Sequence, residues 1–385
     1  MSTTELVTEV NKNIDGGCTS SAGEFQMTRE HNPTADQDLV LREVTIAILN
    51  YNGREFVEES IQSIEQLQYP RKTVILVDDG STDDSVSFIK SRYPDIRVIA
   101  LGYNSKLLNK VRNEAIRAAT TNLILITDND IVFSSDCLQV LVEALAKLPN
   151  AAVVIPRIMY ATDKDRIYID RNEFHYVCAS IDENREKRLN GVSSDHRANL
   201  TFGCGIMLIN IGKVKDHIWD FFDEDYPMGW GDDGEFHHRV NLSGLRCYAV
   251  PTAVVYHKAI KGPPRVYGQL LNRWHIILET YSWRTVVLVL PAMLLYECAL
   301  FGAAILSGRC GEYLKACRSL ACSLPKILMK RTKVRKYKIK RDREILTAGA
   351  IYAPPVFLKN PLVRFGWTTL NLILNWYWLI ARRFV

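Results

Sequence analysis

Short apolar runs alternate with helix-like stretches along residues 44–126. Continuous apolar runs predict strands, and the longer stretches between them predict helices. The predicted order is strand 44–49, helix 57–67, strand 73–77, helix 85–92, strand 96–100, helix 107–119 and strand 123–126. Because the strand runs are continuous rather than alternating, both faces of the sheet are expected to be covered. The pattern therefore predicts an α/β fold with a mainly parallel central sheet.

Beyond Val153 the pattern is less regular, and this half is expected to bind a second substrate. It contains a polar stretch at 163–197, an apolar run at 205–209, a loop at 223–233, a helix at 235–242, a strand at 247–255 and a helix at 267–281. We divide the chain into a flexible extension at 1–42, an α/β domain at 43–283 and a helical, basic C-terminal region at 284–385.

The composition is that of a soluble globular protein, with 47% hydrophobic and 24% charged residues, which argues against disorder and against a polytopic membrane protein. The nine cysteines are odd in number and are never spaced as C-x-x-C. We therefore expect reduced thiols rather than disulfides or a zinc site. The first forty residues lack an apolar segment, so no secretion signal is expected there.

An acidic triplet, Asp128-Asn129-Asp130, follows the strand predicted at 123–126. In parallel sheets, ligands bind beyond the carboxyl ends of the strands, where these carboxylates emerge. Mg²⁺ typically takes one or two protein carboxylates and completes its shell with phosphate oxygens and water. The alternative is a solvated acidic turn, since such triplets are frequent by chance. The position after a buried strand favours a site for Mg²⁺ or Mn²⁺.

Two other predicted strand ends carry polar side chains. Asp78 and Asp79 follow the second strand and can hydrogen-bond a base or a ribose, whereas Asp83 is placed to cap the next helix. Tyr51, in the loop after the first strand, either stacks on a nucleobase or only completes a turn. All three motif-bearing loops are expected at the same edge of the sheet.

These segments resemble family 2 inverting glycosyltransferases. The resemblance rests on VTIAILNYNG (44–53), VILVDDGSTDDS (74–85), RNEAIRAA (112–119) and LILITDND (123–130), and it covers about residues 44–283. It implies a GT-A fold, a nucleotide-diphosphate sugar as donor and Mg²⁺ or Mn²⁺ as cofactor. Residues 104–107 depart from the family's small, Gly-rich approach to the following helix, so the donor pocket is expected to differ there.

The resemblance also implies roles for single residues. It implies that Leu49, Tyr51, Asp78 and Asp79 contact the nucleotide, and that Arg112 and Asn113 form a pair beside the donor. It implies that Asp130 is the principal metal ligand and that Asp128 is a second ligand nearer the sugar and ribose. It also implies that His257 approaches the metal or the diphosphate. A core histidine is an equal alternative for His257.

Residues 229–235 resemble the family's acceptor motif, with Asp232 in the place of its glutamate. The resemblance makes Asp233 the general base, because an inverting transfer needs a carboxylate on the acceptor side to take the hydroxyl proton. Trp230 lies between two glycines, where it is poorly placed for core packing but suits stacking on a sugar. The alternative is that Asp232 and Asp233 only cap the next helix.

The C-terminal region contains two apolar segments and a basic block. Residues 285–306 are long enough to cross a bilayer, but Pro291 and Glu297 weaken a span, and one span would put the block on the far side of the membrane. We predict that 285–306 and 365–381 lie in the membrane interface while the ten basic residues of 326–343 bind anionic lipid. A helical hairpin and a soluble cap are the alternatives. No nucleic-acid module accompanies the block, so no nucleic-acid partner is expected.

The sequence thus predicts an inverting hexosyl- or deoxyhexosyltransferase at the cytoplasmic face of the membrane. It would move a sugar onto a hydroxyl of a glycan or lipid-linked acceptor during polysaccharide biosynthesis. The rival hypothesis is a non-catalytic scaffold of the same fold that binds a nucleotide sugar, and the intact acids argue against it.

Overall fold

The computed structural model describes residues 42–198, 205–258 and 266–385. The extension expected at 1–42 lies outside the described residues, apart from Arg42. The described residues all belong to one compact unit. The C-terminal helices therefore pack together with the α/β domain.

A mixed sheet forms the centre of the molecule. Within the described residues the strands are β1 (Val44–Asn50), β2 (Lys72–Asp78), β3 (Arg97–Ala100), β4 (Leu123–Asp128), β5 (Ile131–Phe133), β6 (Ala151–Tyr160), β7 (Asp163–Ile169), β8 (Asn172–His175), β9 (Ala179–Asp182), β10 (Arg197–Ala198), β11 (Met207–Asn210) and β12 (Arg246–His257). The main sheet has the order β10-β12-β6-β11-β4-β1-β2-β3, and β8 pairs with β9 separately. From β3 across to β12, only β11 runs against the others. The predicted mainly parallel sheet is confirmed.

Helices cover both faces of this sheet and form the C-terminal region. They are α1 (Val57–Glu65), α2 (Ser85–Arg92), α3 (Leu108–Ala118), α4 (Cys137–Lys147), α5 (Ile211–Val214), α6 (Gly234–Leu242), α7 (Val266–Thr280), α8 (Trp283–Leu306), α9 (Cys310–Tyr337), α10 (Asp342–Ile345) and α11 (Pro361–Ala381), with a short 3₁₀ helix at Phe357–Lys359. The bounds of α1, α2 and α3 agree with the predicted helices to within two residues.

The strand β1 is buried along its whole length, as a sheet covered on both faces requires. Successive side chains point to opposite faces. Ile46 and Ile48 join the hydrophobic cluster that contains α1 and α4, whereas Ala47 and Leu49 join the cluster that contains α3 and α6. The continuous apolar run therefore fills two separate hydrophobic layers.

The less regular half contains elements that the apolar pattern did not predict. The polar stretch at 163–197 forms β7 and the hairpin of β8 and β9. Tyr176 lies in the turn between β8 and β9, and its ring stacks on Trp378 of α11 with the ring centroids 4.7 Å apart. The Tyr176 hydroxyl also donates to the Leu374 carbonyl at 2.8 Å. Partners about two hundred residues away stabilise this region, so a local pattern could not reveal it.

The apolar helix α8 has two different faces. It is the one helix among the described residues that is long and apolar enough to cross a membrane. Val289, Met293 and Tyr296 are buried in a third hydrophobic cluster, together with residues of α7 and α11. Val287 and Leu294, on the other side, are exposed. Protein therefore covers one side of this helix.

The basic block does not form a single lipid-facing surface. Most of it lies on α9, where successive residues point about 100° apart and so face different neighbours. Lys330 pairs with Asp223, Lys338 with Asp342, and Lys340 with Glu344 at 3.0 Å. The prediction that the whole block binds anionic lipid is wrong for Lys330 and Lys338, because both are largely buried against carboxylates of this chain.

Candidate active site

Three motif-bearing strand ends meet at one edge of the sheet, as predicted. β1 lies between β2 and β4, and all three strands are parallel. The register places Asn50 opposite Asp78 and Leu49 opposite Asp128. The loop with Tyr51, the acidic turn after β2 and the acidic triplet are therefore neighbours.

Asn50 connects the three strand ends. Its Nδ2 donates to Asp78 Oδ1 at 2.8 Å, and its Oδ1 accepts from Asn129 Nδ2 at 2.8 Å. The loop packs so closely on Asn129 that a Cβ built on Gly53 would lie 1.9 Å from the Asn129 Nδ2. Asn50 and Gly53 thus fix the spacing between the first loop and the acidic triplet.

The residues predicted to contact the nucleotide have different surroundings. Tyr51 is 47% exposed, so its ring is accessible for stacking. Leu49 is buried in the core. Both carboxylate oxygens of Asp78 are used within its own turn, where they accept from Asn50, from the Ser81 hydroxyl and from two backbone N–H groups. The Leu49 and Asp78 side chains therefore have structural roles, and a nucleotide contact at these positions would fall to the backbone.

Two further acids organise the turn after β2. Asp79 is buried, and its Oδ1 accepts from the Ser105 backbone N–H at 2.9 Å. This bond connects the turn to the segment 104–107 that departs from the family pattern. Asp83 Oδ1 accepts from the backbone N–H of Ser85, the first residue of α2, at 3.1 Å. Asp84 is the N-cap residue and makes no side-chain capping bond, so Asp83 stabilises the start of the helix from one position earlier than a cap would.

Asp130 has a carboxylate oxygen that no described residue engages. The residue is 9% exposed, and within 42–198, 205–258 and 266–385 nothing donates a hydrogen bond to its buried Oδ1. Leaving a charged acceptor unsatisfied in this way costs more than about 1–3 kcal/mol. A bound cation would remove that cost.

His257 lies beside Asp130, as the resemblance implied. Its Nε2 is 3.7 Å from the Asp130 Oδ2, and its ring stacks on Tyr168. The antiparallel pairing of β5 with β12 causes this approach, because it places His257 opposite Ile131. The Lys258 backbone N–H also donates to the Asp130 carbonyl at 3.0 Å.

The acids at this edge fit a hard divalent cation. Loss of hydration and the neighbouring Asp130 charge raise the pKa of Asp128, so the pair carries poorly compensated negative charge. In the described part of the chain, no three His, Cys, Asp or Glu side chains surround a common metal position. A site of one or two carboxylates suits Mg²⁺ or Mn²⁺, which share their shell with phosphate oxygens, better than an all-protein site.

Asp233 and Asp128 both lie close to Gly205. The Gly205 N–H donates to the Asp233 Oδ2 at 3.0 Å, and a Cβ built on Gly205 would lie 2.9 Å from the Asp128 Oδ2. Gly205 also has a φ of +76°, in the region that favours glycine. Asp233 is the N-cap residue of α6, but its carboxylate makes no capping hydrogen bond. The capping alternative therefore does not explain the Asp233 side chain.

Arg112 and Asn113 of α3 support the loop at 223–233. Arg112 is fully buried, and its Nη1 donates to the Asp232 Oδ2 at 2.9 Å. Asn113 accepts from the Phe222 N–H at 3.0 Å and donates to the Phe222 carbonyl at 2.8 Å. The α3 helix thus packs beneath the loop at 223–233, and the predicted donor-side role of Arg112 and Asn113 stays a prediction.

The Asp232 carboxylate is held by its contact with Arg112. Burial raises the pKa of Asp232, and the Arg112 guanidinium opposes that rise. Arg112 binds the Asp232 Oδ2, so only the Asp232 Oδ1 is available for the predicted contact with an acceptor. That contact stays a prediction.

Comparisons with known proteins identify the family and the fold. Residues 45–208 match the family Glycosyl transferase family 2. The chain contains a glycosyltransferase family 2 domain.

Curated relatives of the family 2 domain include two named poly-β-1,6-N-acetyl-D-glucosamine synthases. The protein from Staphylococcus epidermidis is 29% identical over 119 residues, which is 30% of this chain and 29% of that protein. The protein from Staphylococcus aureus strain COL is 25% identical over 222 residues, which is 56% of this chain and 50% of that protein. This chain therefore matches half or less of the length of these relatives.

The fold of the family 2 domain is also found in the crystal structure of GalNAc-T7 with UDP, GalNAc and Mn²⁺. The two chains are 14% identical, with a TM-score of 0.50, and the match covers 69% of this chain and 52% of that one. This similarity establishes the GT-A type of α/β fold.

Trp230 is better packed than its position between two glycines suggested. It is half-buried and packs against the third hydrophobic cluster, which contains residues of α7, α8 and α11. Its carbonyl accepts from Asn272 Nδ2 at 3.1 Å. The expectation of poor core packing was wrong because the C-terminal helices supply partners, and stacking on an acceptor sugar stays a prediction.

Sequence reasoning missed three supporting residues of the family 2 domain. They are Asn50, Asn109 and Gly205, of which Asn109 donates to the carbonyls of Asp223 and Asp232 at 2.9 and 2.8 Å. The only local signals were an asparagine at a strand end, an asparagine one turn before Arg112, and a glycine before an apolar run. None of these identifies a partner.

Proposed function

We propose that the chain is a metal-dependent inverting glycosyltransferase. The donor would be a nucleotide-diphosphate sugar, and the acceptor a hydroxyl of a glycan or lipid-linked molecule. One observation carries the proposal: Asp128 and Asp233 both lie close to Gly205, while the neighbouring Asp130 keeps a buried oxygen that accepts no hydrogen bond from the described residues. A candidate base and a candidate cation site are thus neighbours, as a displacement at a sugar carbon requires.

Each group has a defined part in this reaction. Asp130, with Asp128 and His257 beside it, would hold Mg²⁺ or Mn²⁺, which stabilises negative charge on a departing diphosphate. The acceptor oxygen forms a bond to the anomeric carbon as the bond from that carbon to the diphosphate oxygen breaks. Asp233 takes the acceptor proton, and the nucleoside diphosphate leaves. Tyr51 is exposed for stacking on the base.

A screen of nucleotide sugars tests the proposal directly. With Mn²⁺ present, one donor among UDP, GDP and dTDP sugars should stabilise the chain by about 2.7 kcal/mol at a hundred times its dissociation constant. EDTA should abolish that stabilisation and also stop release of the nucleoside diphosphate. Stabilisation without turnover would favour the scaffold hypothesis, and no stabilisation by any donor would contradict donor binding altogether.

We further propose that α8 and α11 rest on a membrane surface. The two helices pack on each other, and the Tyr377 hydroxyl donates to the Leu288 carbonyl at 2.6 Å. Their outer faces carry large apolar side chains that are more than half exposed: Val287, Leu294, Ile305, Leu306, Leu362, Phe365, Trp376 and Ile380. Exposed cations accompany them at Arg364, Arg382 and Arg383. A continuous apolar face with cations nearby suits an anionic bilayer surface.

The double substitution F365S/W376S should weaken binding of the full chain to phosphatidylglycerol-containing vesicles. Removing two rings that each contribute about 1.5–3 kcal/mol on burial predicts at least about a tenfold loss. Vesicle co-sedimentation measures it, and L189S, at an exposed leucine outside these helices, is the matched control. Unchanged vesicle binding would contradict the proposal. Conversion of a dimer to a monomer by the double substitution would instead make this face an interface between copies.

A further inference from the structure

The loop at 223–233, here called the acceptor loop, carries Asp233. Its two ends are held together by Asn109 of α3, which donates to the carbonyls of Asp223 and Asp232. Arg112 of the same helix binds the Asp232 carboxylate at 2.9 Å. The α/β domain therefore fixes the inner side of the acceptor loop.

The helix α7 holds the middle of the acceptor loop. Asn272 Nδ2 donates to the carbonyls of Pro227 and Trp230 at 3.0 and 3.1 Å. The Tyr226 hydroxyl donates to the Glu279 Oε2 at 2.9 Å. Two helices therefore bind this loop through several hydrogen bonds.

The C-terminal helix α9 contacts the start of the acceptor loop through charged side chains. Among the described residues beyond 284, no other element does so. Lys330 binds the carboxylates of Asp223 and Asp225, the latter at 2.5 Å. Lys326 binds the other oxygen of Asp225 at 2.6 Å. Lys330 and Asp223 are 5% and 4% exposed, so this is a buried contact, whereas Lys326 is largely exposed.

The charges around Lys330 explain why the loop needs it. Asp223, Glu224 and Asp225 are consecutive acids, and Glu279 is buried close by. Burial lowers the pKa of Lys330, but the charges of Glu279 and Asp223 and the hydrogen bonds to Asp223 and Asp225 together give a net rise. The ammonium therefore stays charged between the acids. Removing one member of a buried charge set leaves the others uncompensated.

We propose that Lys330 is a positioning residue for glycosyl transfer: from the C-terminal helix α9 it holds the start of the acceptor loop and thereby fixes Asp233. This inference rests on the proposed function. Lys330 is not assigned to the reacting atoms, because its contacts are with Asp223 and Asp225. The C-terminal region then contributes to the active site as well as to membrane association.

The test compares K330M, K330R and K336M in the full chain, with Lys336 as an exposed control on the same helix. K330M should lower the kcat for release of the nucleoside diphosphate by about 10²-fold, the loss expected for a displacement of about 1 Å. Binding of UDP, GDP or dTDP with Mn²⁺, whichever the donor screen selects, should change by less than about twofold. K330R should restore most of the turnover, and K336M should match the unaltered chain.

Hydrogen–deuterium exchange provides a readout that does not require the donor. K330M should increase exchange in peptides from 223–233 while leaving those from 44–53 and 123–130 protected. If K330M does not fold, K326M gives a second measurement, with a smaller increase confined to the same peptides. Unchanged loop exchange, or a kcat equal to that of the unaltered chain, would overturn the proposal. If K330M lost both turnover and nucleotide binding, Lys330 would have a general structural role and would not be a positioning residue.

The failure of this inference can be distinguished from failure of the proposed function. If the unaltered chain turns over no donor, the proposed activity is wrong, whereas the exchange data still show whether Lys330 orders the acceptor loop. If the unaltered chain is active and K330M is equally active, only the positioning role is wrong.

Discussion

Asp130→Ala is expected to abolish the dependence of donor binding on Mn²⁺ and to lower turnover by about 10³-fold or more, since a metal ion contributes several kcal/mol to stabilising departing charge. The reason lies in the buried Asp130 Oδ1, for which the described part of the chain supplies no hydrogen-bond donor. Asp128 alone would keep one carboxylate at the site, and the cation would lose its principal ligand.

The stability of the metal-free chain distinguishes this explanation from simple unfolding. Asp130 raises the pKa of Asp128 through charge repulsion, so alanine at position 130 relieves that repulsion. The melting temperature without metal should therefore be unchanged or higher, while the stabilisation by Mn²⁺ and donor disappears. Calorimetry measures the melting temperature with and without Mn²⁺ and donor, and a turnover assay measures the rate. The control is D136A, at an exposed acid of the same segment. Retention of metal-dependent donor binding in Asp130→Ala would show that another residue is the principal ligand.

Asp233→Asn is expected to lower kcat by about 10²–10⁴-fold, the usual contribution of a general base. Asparagine keeps the shape of the side chain, and its oxygen can still accept from the Gly205 N–H, which lies 3.0 Å from the Asp233 Oδ2. It cannot take the acceptor proton. The loss should therefore appear in turnover and not in the affinity for the donor with Mn²⁺.

Steady-state turnover and donor titration together check this prediction. Asp220→Asn removes a charge from an exposed residue shortly before the acceptor loop, and it should leave both quantities unchanged. If Asp233→Asn were fully active, Asp233 would not be the base. If it lost donor affinity as much as turnover, Asp233 would act on the donor side instead.

The sheet could be predicted from the sequence because its signals are local. Each of β1, β2 and β4 is a continuous apolar run ending in polar residues, and such runs predict strands covered on both faces. The parallel arrangement then brings Tyr51, Asp78 and Asp128 to one edge. The hairpin of β8 and β9 could not be predicted in this way, because its stabilising partners lie on α11.

The candidate site was only partly predictable for the same reason. Asp128, Asp130 and Asp233 were singled out by sequence, since each lies in a short motif next to a recognisable element. The contact of Arg112 with Asp232 was not predicted, because the two residues are 120 positions apart in sequence. Trp230 was misjudged because helices beyond residue 265 pack against it.

The sequence by itself thus determined the order of strands and helices over residues 44–126, the edge of the sheet where the motifs gather and the acids available there, because these follow from the period of apolar residues and from the ends of the strands. The tertiary structure alone decided which side chains meet: Asp128 and Asp233 near Gly205, Arg112 on Asp232, and Lys330 on Asp223, 107 residues away. Such pairs depend on how distant helices pack, and no local period of the sequence encodes that packing.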